Sequence, residues 1–407
     1  MKMIITGDIA LARGIDKKMQ NGVGDEILKE DVIGLFTAQD LRLINLECPV
    51  TDSEKPNWSH FPTLKASTKA FQIIKKLNVD VASLANNHIL DYGDRGLFDT
   101  ISILEAHGIK WLGAGKTPDE ANTSIVFEKN GCCFGILALA QKEISSVGKG
   151  SPGAGLLEKK RAVQSIRDLS EKADITIAYL HFGPEFYEYP APDQIRLSRA
   201  LIDAGADLVI GHHPHVVQGY EYYKHGFIAY SLGNFLFDMK PIGSSLSRIG
   251  MLVLADVENK AIKGIQVVCV ETANGKTELL SGDKKNEAEK HLDYLSSVIS
   301  NPDLLVEKYY FTCRDHFKTY LSAFISFLLI KRNMRNCYDW VVQEFWPQIF
   351  RMRMDLLKFV LSGQALFYET KKGKPEEGVF AYLWRGVCYL GKGLSYFGGR
   401  MFQIVLR

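Results

Sequence analysis

Residues 206–221 read ADLVIGHHPHVVQGYE, an apolar run that ends in three histidines within four positions. Imidazoles packed into a core leave ring nitrogens that need partners, and each unsatisfied one costs roughly 1–3 kcal/mol. Either the surroundings satisfy them or a metal does. His213 and His215 flank Pro214, a rigid turn that can aim two rings at one ion, whereas His212 would then point elsewhere.

Working outward, the first 270 residues alternate short apolar runs with helical periodicity, the pattern of an α/β fold. Strands are expected at 3–6, 41–45, 79–84, 132–140, 174–180, 206–210 and 226–232. The stretch IGMLVLADVENKAIKGIQVVCVE differs, since two β-rich runs flank VENKA as in an antiparallel hairpin. Chemistry-bearing residues collect where strands end: Asp8, Asn45 and Glu47, then Asn86, Asn87 and His88, then His181, the triple histidine, and Asn234. In α/β sheets ligands bind beyond the carboxyl ends of strands, so these residues are expected to converge on one crevice. Imidazoles with carboxylates and an amide oxygen form a mixed N/O donor set suited to zinc, manganese or iron.

Composition limits the rest. A chain of 407 residues exceeds a single ordinary core, so two units are expected. Hydrophobic residues at 46% and charged residues at 24% exclude extensive disorder. The seven cysteines include no C-x-x-C pair, which argues against a disulfide framework or a thiolate zinc site. The opening MKMIITGDIALARG lacks the apolar core of a signal peptide, and a cytoplasmic location is expected. Charge is uneven: residues 301–407 carry 16 Lys and Arg against 9 Asp and Glu, leaving 33 against 38 in the remainder. A domain over 1–272, a polar connector over 273–299 and a basic, aromatic-rich helical domain over 300–407 are expected.

The motifs GDIALARG, NLECPVTD, SLANNHILDYG, YLHFGPEF, ADLVIGHHPHVVQGYE and YSLGNFLFD resemble, in order and spacing, the CapA family of poly-γ-glutamate capsule biosynthesis proteins. The resemblance covers roughly residues 3–240 and implies a calcineurin-like metallophosphoesterase fold, a sandwich of two mixed β-sheets flanked by helices. It implies one or two divalent metal ions held by Asp8, Glu47, Asn87, His181, His213 and His215, with Glu47 replacing a bridging aspartate. Whether His212 or His213 is the ligand stays open on the motif alone. His88, oriented by Asp91, would protonate a leaving oxygen, and Asn234 and Arg13 would contact substrate.

Two departures bear on function. Metallophosphoesterases of this kind open with D-x-H, whereas Asp8-Ile9-Ala10 supplies no histidine, and NLE stands where G-D-x-x-D is usual. A metal-dependent phosphoester hydrolase in capsule or poly-γ-glutamate synthesis is expected, and a non-catalytic polymer-binding or assembly component is the alternative. The expected partners are an anionic polymer or phosphoester and capsule assembly proteins. Nucleic acid is not expected. Clusters such as IKRNMR and TKKGK beside aromatic faces suggest peripheral contact of 300–407 with an anionic membrane face.

Overall fold

A computed structural model of the chain describes residues 1–57, 62–143, 145–239 and 248–313. The strands are β1 (Lys2–Ala10), β2 (Leu41–Leu46), β3 (Val81–Ser83), β4 (Lys110–Leu112), β5 (Ala114–Gly115), β6 (Ile125–Lys129), β7 (Cys132–Ala140), β8 (Gly153–Ala154), β9 (Ile175–His181), β10 (Leu208–His212), β11 (Tyr220–Tyr223), β12 (Gly226–Ala229), β13 (Asn234–Phe237), β14 (Ile249–Glu258), β15 (Ala261–Ala273) and β16 (Lys276–Leu279). One sheet runs β16-β15-β14-β1-β2-β3-β4, with β13 also paired to β1; the other runs β11-β12-β10-β9-β7-β6. Both are mixed, because parallel central strands meet antiparallel pairs at β1–β14, β6–β7 and β11–β12. The two mixed sheets and their flanking helices are the architecture expected from the sequence.

Side-chain parity places the sheets face to face. On β9 and β10, Ile175, Ile177, Tyr179, Leu208 and Ile210 join the core shared with the first sheet. Ala178, Leu180 and Val209 point the other way, onto a second core covered by the helices Lys159–Ser170 and Pro192–Asp203. Alternate residues of a strand face opposite sides, so His181 and His212 continue the inward series. Strands buried on both faces read as unbroken apolar runs, which is how they are visible in the sequence.

An aspartate precedes four of these strands and does the same thing each time. Asp40, Asp80, Asp174 and Asp207 accept a side-chain bond from the backbone N–H of Lys2, Arg42, Cys133 and Thr176 at 2.7, 2.9, 2.9 and 2.8 Å. Each aspartate's own N–H donates to the carbonyl of that same neighbour. The paired bonds fix the register of parallel strands that no tight turn connects.

The expected hairpin is present as β14 and β15, closed by Asn259 and Lys260 with φ of 49° and 63°. Two central residues at positive φ match the strand twist in a two-residue turn. The polar connector expected over 273–299 is instead folded structure. β16 pairs with β15, and the helix Gly282–Ile299 buries Ala288, Leu292, Leu295 and Ile299 at helical spacing. Its polar first turns mask that stripe in the sequence. The chain divides into units Met1–Thr312 and Cys313–Arg407. The helical and membrane-surface readings of residues 314–407 lie outside the described residues. Among the described residues no helix is long and apolar enough to cross a membrane.

Candidate metal centre

The centre forms where the two sheets present their strand ends to each other. β1 bends at a register shift around Asp8, which stands opposite Asn45 of β2 on one side and Asn234 of β13 on the other. Gly7 permits the approach: a Cβ there would lie 2.1 Å from the Gly233 carbonyl oxygen. From the facing sheet, His181 and His212 come in register on neighbouring parallel strands.

Asp8 is fully buried. Its Oδ1 accepts from Asn45 Nδ2 at 2.7 Å and from His212 Nδ1 at 2.9 Å. Its Oδ2 accepts from the His213 backbone N–H at 3.1 Å and lies 3.7 Å from His215 Nδ1. Burial alone would raise the carboxyl pKa, but the bond from His212, followed by electrostatic attraction to that ring, outweighs it and holds the group well below the carboxylate range.

Glu47 follows β2, its N–H donating to Ile9 O at 2.7 Å. Its carboxylate is as buried as that of Asp8, yet neither oxygen has a hydrogen-bond partner among the described residues. Burial and then the negative charge of Asp8 push its pKa well above the usual range. Two buried carboxylates with an unsatisfied face between them call for a cation.

The neighbouring donors supply its ligand shell. Glu47 Oε1 lies 3.5 Å from His181 Nε2 and 3.6 Å from His215 Nε2. His181 Nε2 in turn lies 3.1 Å from His213 Nδ1 and 2.9 Å from Asn87 Oδ1. Two ion-sized groups result, Glu47 with His181 and His213, and Asp8 with Glu47 and His215, and Glu47 belongs to both. Burial, followed by the neighbouring His213, drives His181 well below the usual imidazole pKa, toward the neutral form that metal ligation requires. The donors therefore fit divalent ions: two carboxylates, three imidazoles and an amide oxygen.

Backbone conformation is part of this arrangement. His213 and His215 have φ of 96° and 58°. Left-handed residues other than glycine are uncommon and persist where their surroundings enforce them. The turn swings both rings out of strand parity and into the ligand groups, whereas His212, the last residue of β10, belongs to neither group.

The remaining expected residues lie around this core. His88 Nδ1 donates to Asp91 Oδ2 at 2.7 Å, and Asp91 Oδ2 also accepts from Leu64 N–H at 2.6 Å. Burial depresses the His88 pKa, but the Asp91 charge and bond overcome it, for a net rise. Arg13 is exposed, with φ of 58° and Nη1 3.3 Å from the Asp238 carbonyl oxygen, and its charge reaches His88. Asn234, expected to contact substrate, is engaged with His215. It is buried, its Oδ1 accepts from His215 Nδ1 at 2.9 Å, and its Nδ2 donates to the His215 carbonyl at 3.4 Å. Both ends of the amide are committed to orienting His215, which leaves His215 Nε2 directed at Glu47.

Asn45, expected in the crevice, binds Asp8. Two further contributors were not apparent from the sequence as site residues. Glu143 Oε1 stands 4.0 Å from His213 Nε2 and accepts from Gln141 Nε2 at 3.0 Å. Glu185 lies close enough for its charge to act on Glu47 and His88. Both glutamates sit in loops without periodicity, so no pattern marks them.

Comparison with known proteins adds to this geometry. Residues 2–239 match the family described as bacterial capsule synthesis protein PGA_cap. The capsule biosynthesis protein CapA of Bacillus anthracis is 31% identical over 247 residues, 58% of this chain and 60% of its own. The PGA biosynthesis protein CapA of Bacillus subtilis (strain 168) is 34% identical over 241 residues, 57% of this chain and 62% of its own. The matched region thus spans about three fifths of the length of both relatives. A novel phosphatase from Mycoplasma pneumoniae, known as a crystal structure, aligns at 13% identity over 67% of this chain and 93% of its own, with a TM-score of 0.42.

Proposed function

The chain belongs to the bacterial capsule synthesis protein PGA_cap family, and from that premise we propose that it is a divalent-metal-dependent hydrolase of phosphoester type serving capsule or poly-γ-glutamate synthesis. One observation carries the reading: Glu47, buried with both oxygens unpartnered, is shared by two ligand groups whose other members are Asp8, His181, His213 and His215. Asn87 Oδ1 completes the His181 side. These residues would hold a divalent pair, which would supply Lewis acidity toward a phosphoryl oxygen and lower the pKa of water.

The chain's own residues do the rest. Asn234 fixes the ring of His215 through Nδ1, and Asp8 ties the two sheets together through its bond from His212. His88, held through Nδ1 by Asp91, presents Nε2 as the proton donor to a leaving oxygen. Arg13 offers an exposed guanidinium, whose charge reaches His88, to anionic oxygens of the substrate. An anionic capsule polymer or a phosphoester precursor of it suits that charge.

A second reading, a polymer-binding or assembly component without turnover, draws on Ala10, which supplies no second nitrogen donor on the Asp8 side. One experiment separates the two. Metal-loaded and metal-stripped protein is assayed against phosphomonoesters, phosphodiesters and γ-glutamyl peptides. Metal-dependent turnover abolished in Glu47→Gln supports the hydrolase, and metal binding without turnover of any class supports the assembly role.

A further inference from the structure

His212 lies between the metal groups and the core, and the proposed chemistry does not use it. It ends β10 on the inward face, in register with His181, and its ring stacks on Tyr179 at a centroid distance of 4.5 Å. Its Nδ1 meets Asp8 Oδ1 at 2.9 Å, and its Nε2 has no hydrogen-bond partner among the described residues. The strand carrying it cannot shift. A Cβ at Gly211 would lie 1.9 Å from the Tyr230 carbonyl oxygen, and the His212 carbonyl accepts from Phe182 N–H at 3.0 Å.

These contacts divide the two oxygens of Asp8. Oδ1 takes two donors, His212 Nδ1 and Asn45 Nδ2. Oδ2 faces His215 and carries one backbone bond. We infer that His212 is a positioning residue: it occupies Asp8 Oδ1 and turns Asp8 into a one-oxygen ligand aimed through Oδ2 at the His215 side of the centre. This inference rests on the proposed metal centre. It assigns the first histidine of the triple a role in orienting a ligand, the kind of contact whose loss weakens metal affinity without removing a ligand. Tyr179 and Gly211 hold the ring in place for that bond.

The test compares Mn²⁺ binding to wild type, His212→Asn and His212→Leu by calorimetry, with apo-protein thermal unfolding recorded for each. An Asn amide at 212 places its nitrogen near the position of Nδ1 and keeps the bond to Asp8, while Leu keeps bulk without a donor. The expected result is near-wild-type binding by His212→Asn, and about ten- to a hundredfold weaker binding at one of two sites in His212→Leu with the other unchanged. If His212→Leu does not fold, His212→Gln, whose amide lies one bond too far out, takes its place with the same expectation. Equal affinities in all variants overturn the inference. Loss of one whole equivalent in both Asn and Leu variants also overturns it, because the ring would then be a ligand itself. A wild type that binds no Mn²⁺ overturns the proposed function together with this inference, which distinguishes the two failures.

Discussion

Glu47 Oε1 stands 3.5 Å from His181 Nε2, at the junction of two ligand groups, and neither Glu47 oxygen has a hydrogen-bond partner among the described residues. A carboxylate in that position is costly unless a cation compensates it. The arrangement ranks the ligands by consequence. Metal content measured by plasma mass spectrometry should fall by one equivalent in His181→Ala and by one in His215→Ala, and by both in Glu47→Gln. Unchanged content in both histidine variants would refute the assignment.

His88 and Asp91 form a bonded pair outside the ligand groups. Replacing His88 by Asn should leave metal content intact and slow substrates with poor leaving groups by about 10²–10⁴-fold. Activated aryl esters, which scarcely need a proton, should slow far less. Equal losses on both substrate types would count against proton donation.

Asp174 and Asp207 make the same pair of strand-to-strand bonds but titrate in opposite directions. The Cys133 N–H bond, against some burial and helped by Lys260, lowers Asp174 from its ordinary value of 3.8, whereas burial raises Asp207 despite the Thr176 N–H bond. A lowered folded pKa gives stability that is present above 3.8 and lost as pH falls through the folded value. A raised one gives stability present below 3.8 and lost as pH rises through the folded value. Thermal unfolding should therefore show Asp174→Asn losing most relative to wild type at neutral pH, and Asp207→Asn improving relative to wild type as pH rises above 4. Parallel curves for both variants would contradict this.

Gly7 and Gly211 admit backbone oxygens where a Cβ would meet them at 2.1 and 1.9 Å. Alanine at either position should destabilise the fold by about 1–3 kcal/mol in urea unfolding. Because both glycines sit next to site residues, metal affinity should fall with stability. Full stability in both variants would mean the strands approach less closely than described.

Much of this was legible in the sequence, for physical reasons. Buried parallel strands leave continuous apolar runs, so β1, β2, β7, β9 and β10 could be located, and the polar residues at their ends could be expected to meet. The Asn259-Lys260 hairpin announced itself by two β-rich flanks. What escaped notice lacked periodicity or was disguised. Glu143 lies in a loop, and the helix Gly282–Ile299 begins with so many charges that its apolar stripe at 288, 292, 295 and 299 reads as a connector. The contacts of Asn234 and His212 were not legible for a different reason. Residue type cannot tell a ligand from the group that orients it, and a positive φ at His213 reverses the facing that strand parity would give.

In the proposed centre Glu47 joins two metal positions. Electron paramagnetic resonance of the Mn²⁺-loaded protein tests it most directly, because two ions sharing a carboxylate are exchange-coupled and two distant ions are not. The predicted result is a coupled dinuclear spectrum that is lost in Glu47→Gln. A spectrum of isolated Mn²⁺ at full loading, unchanged by that substitution, would contradict the account.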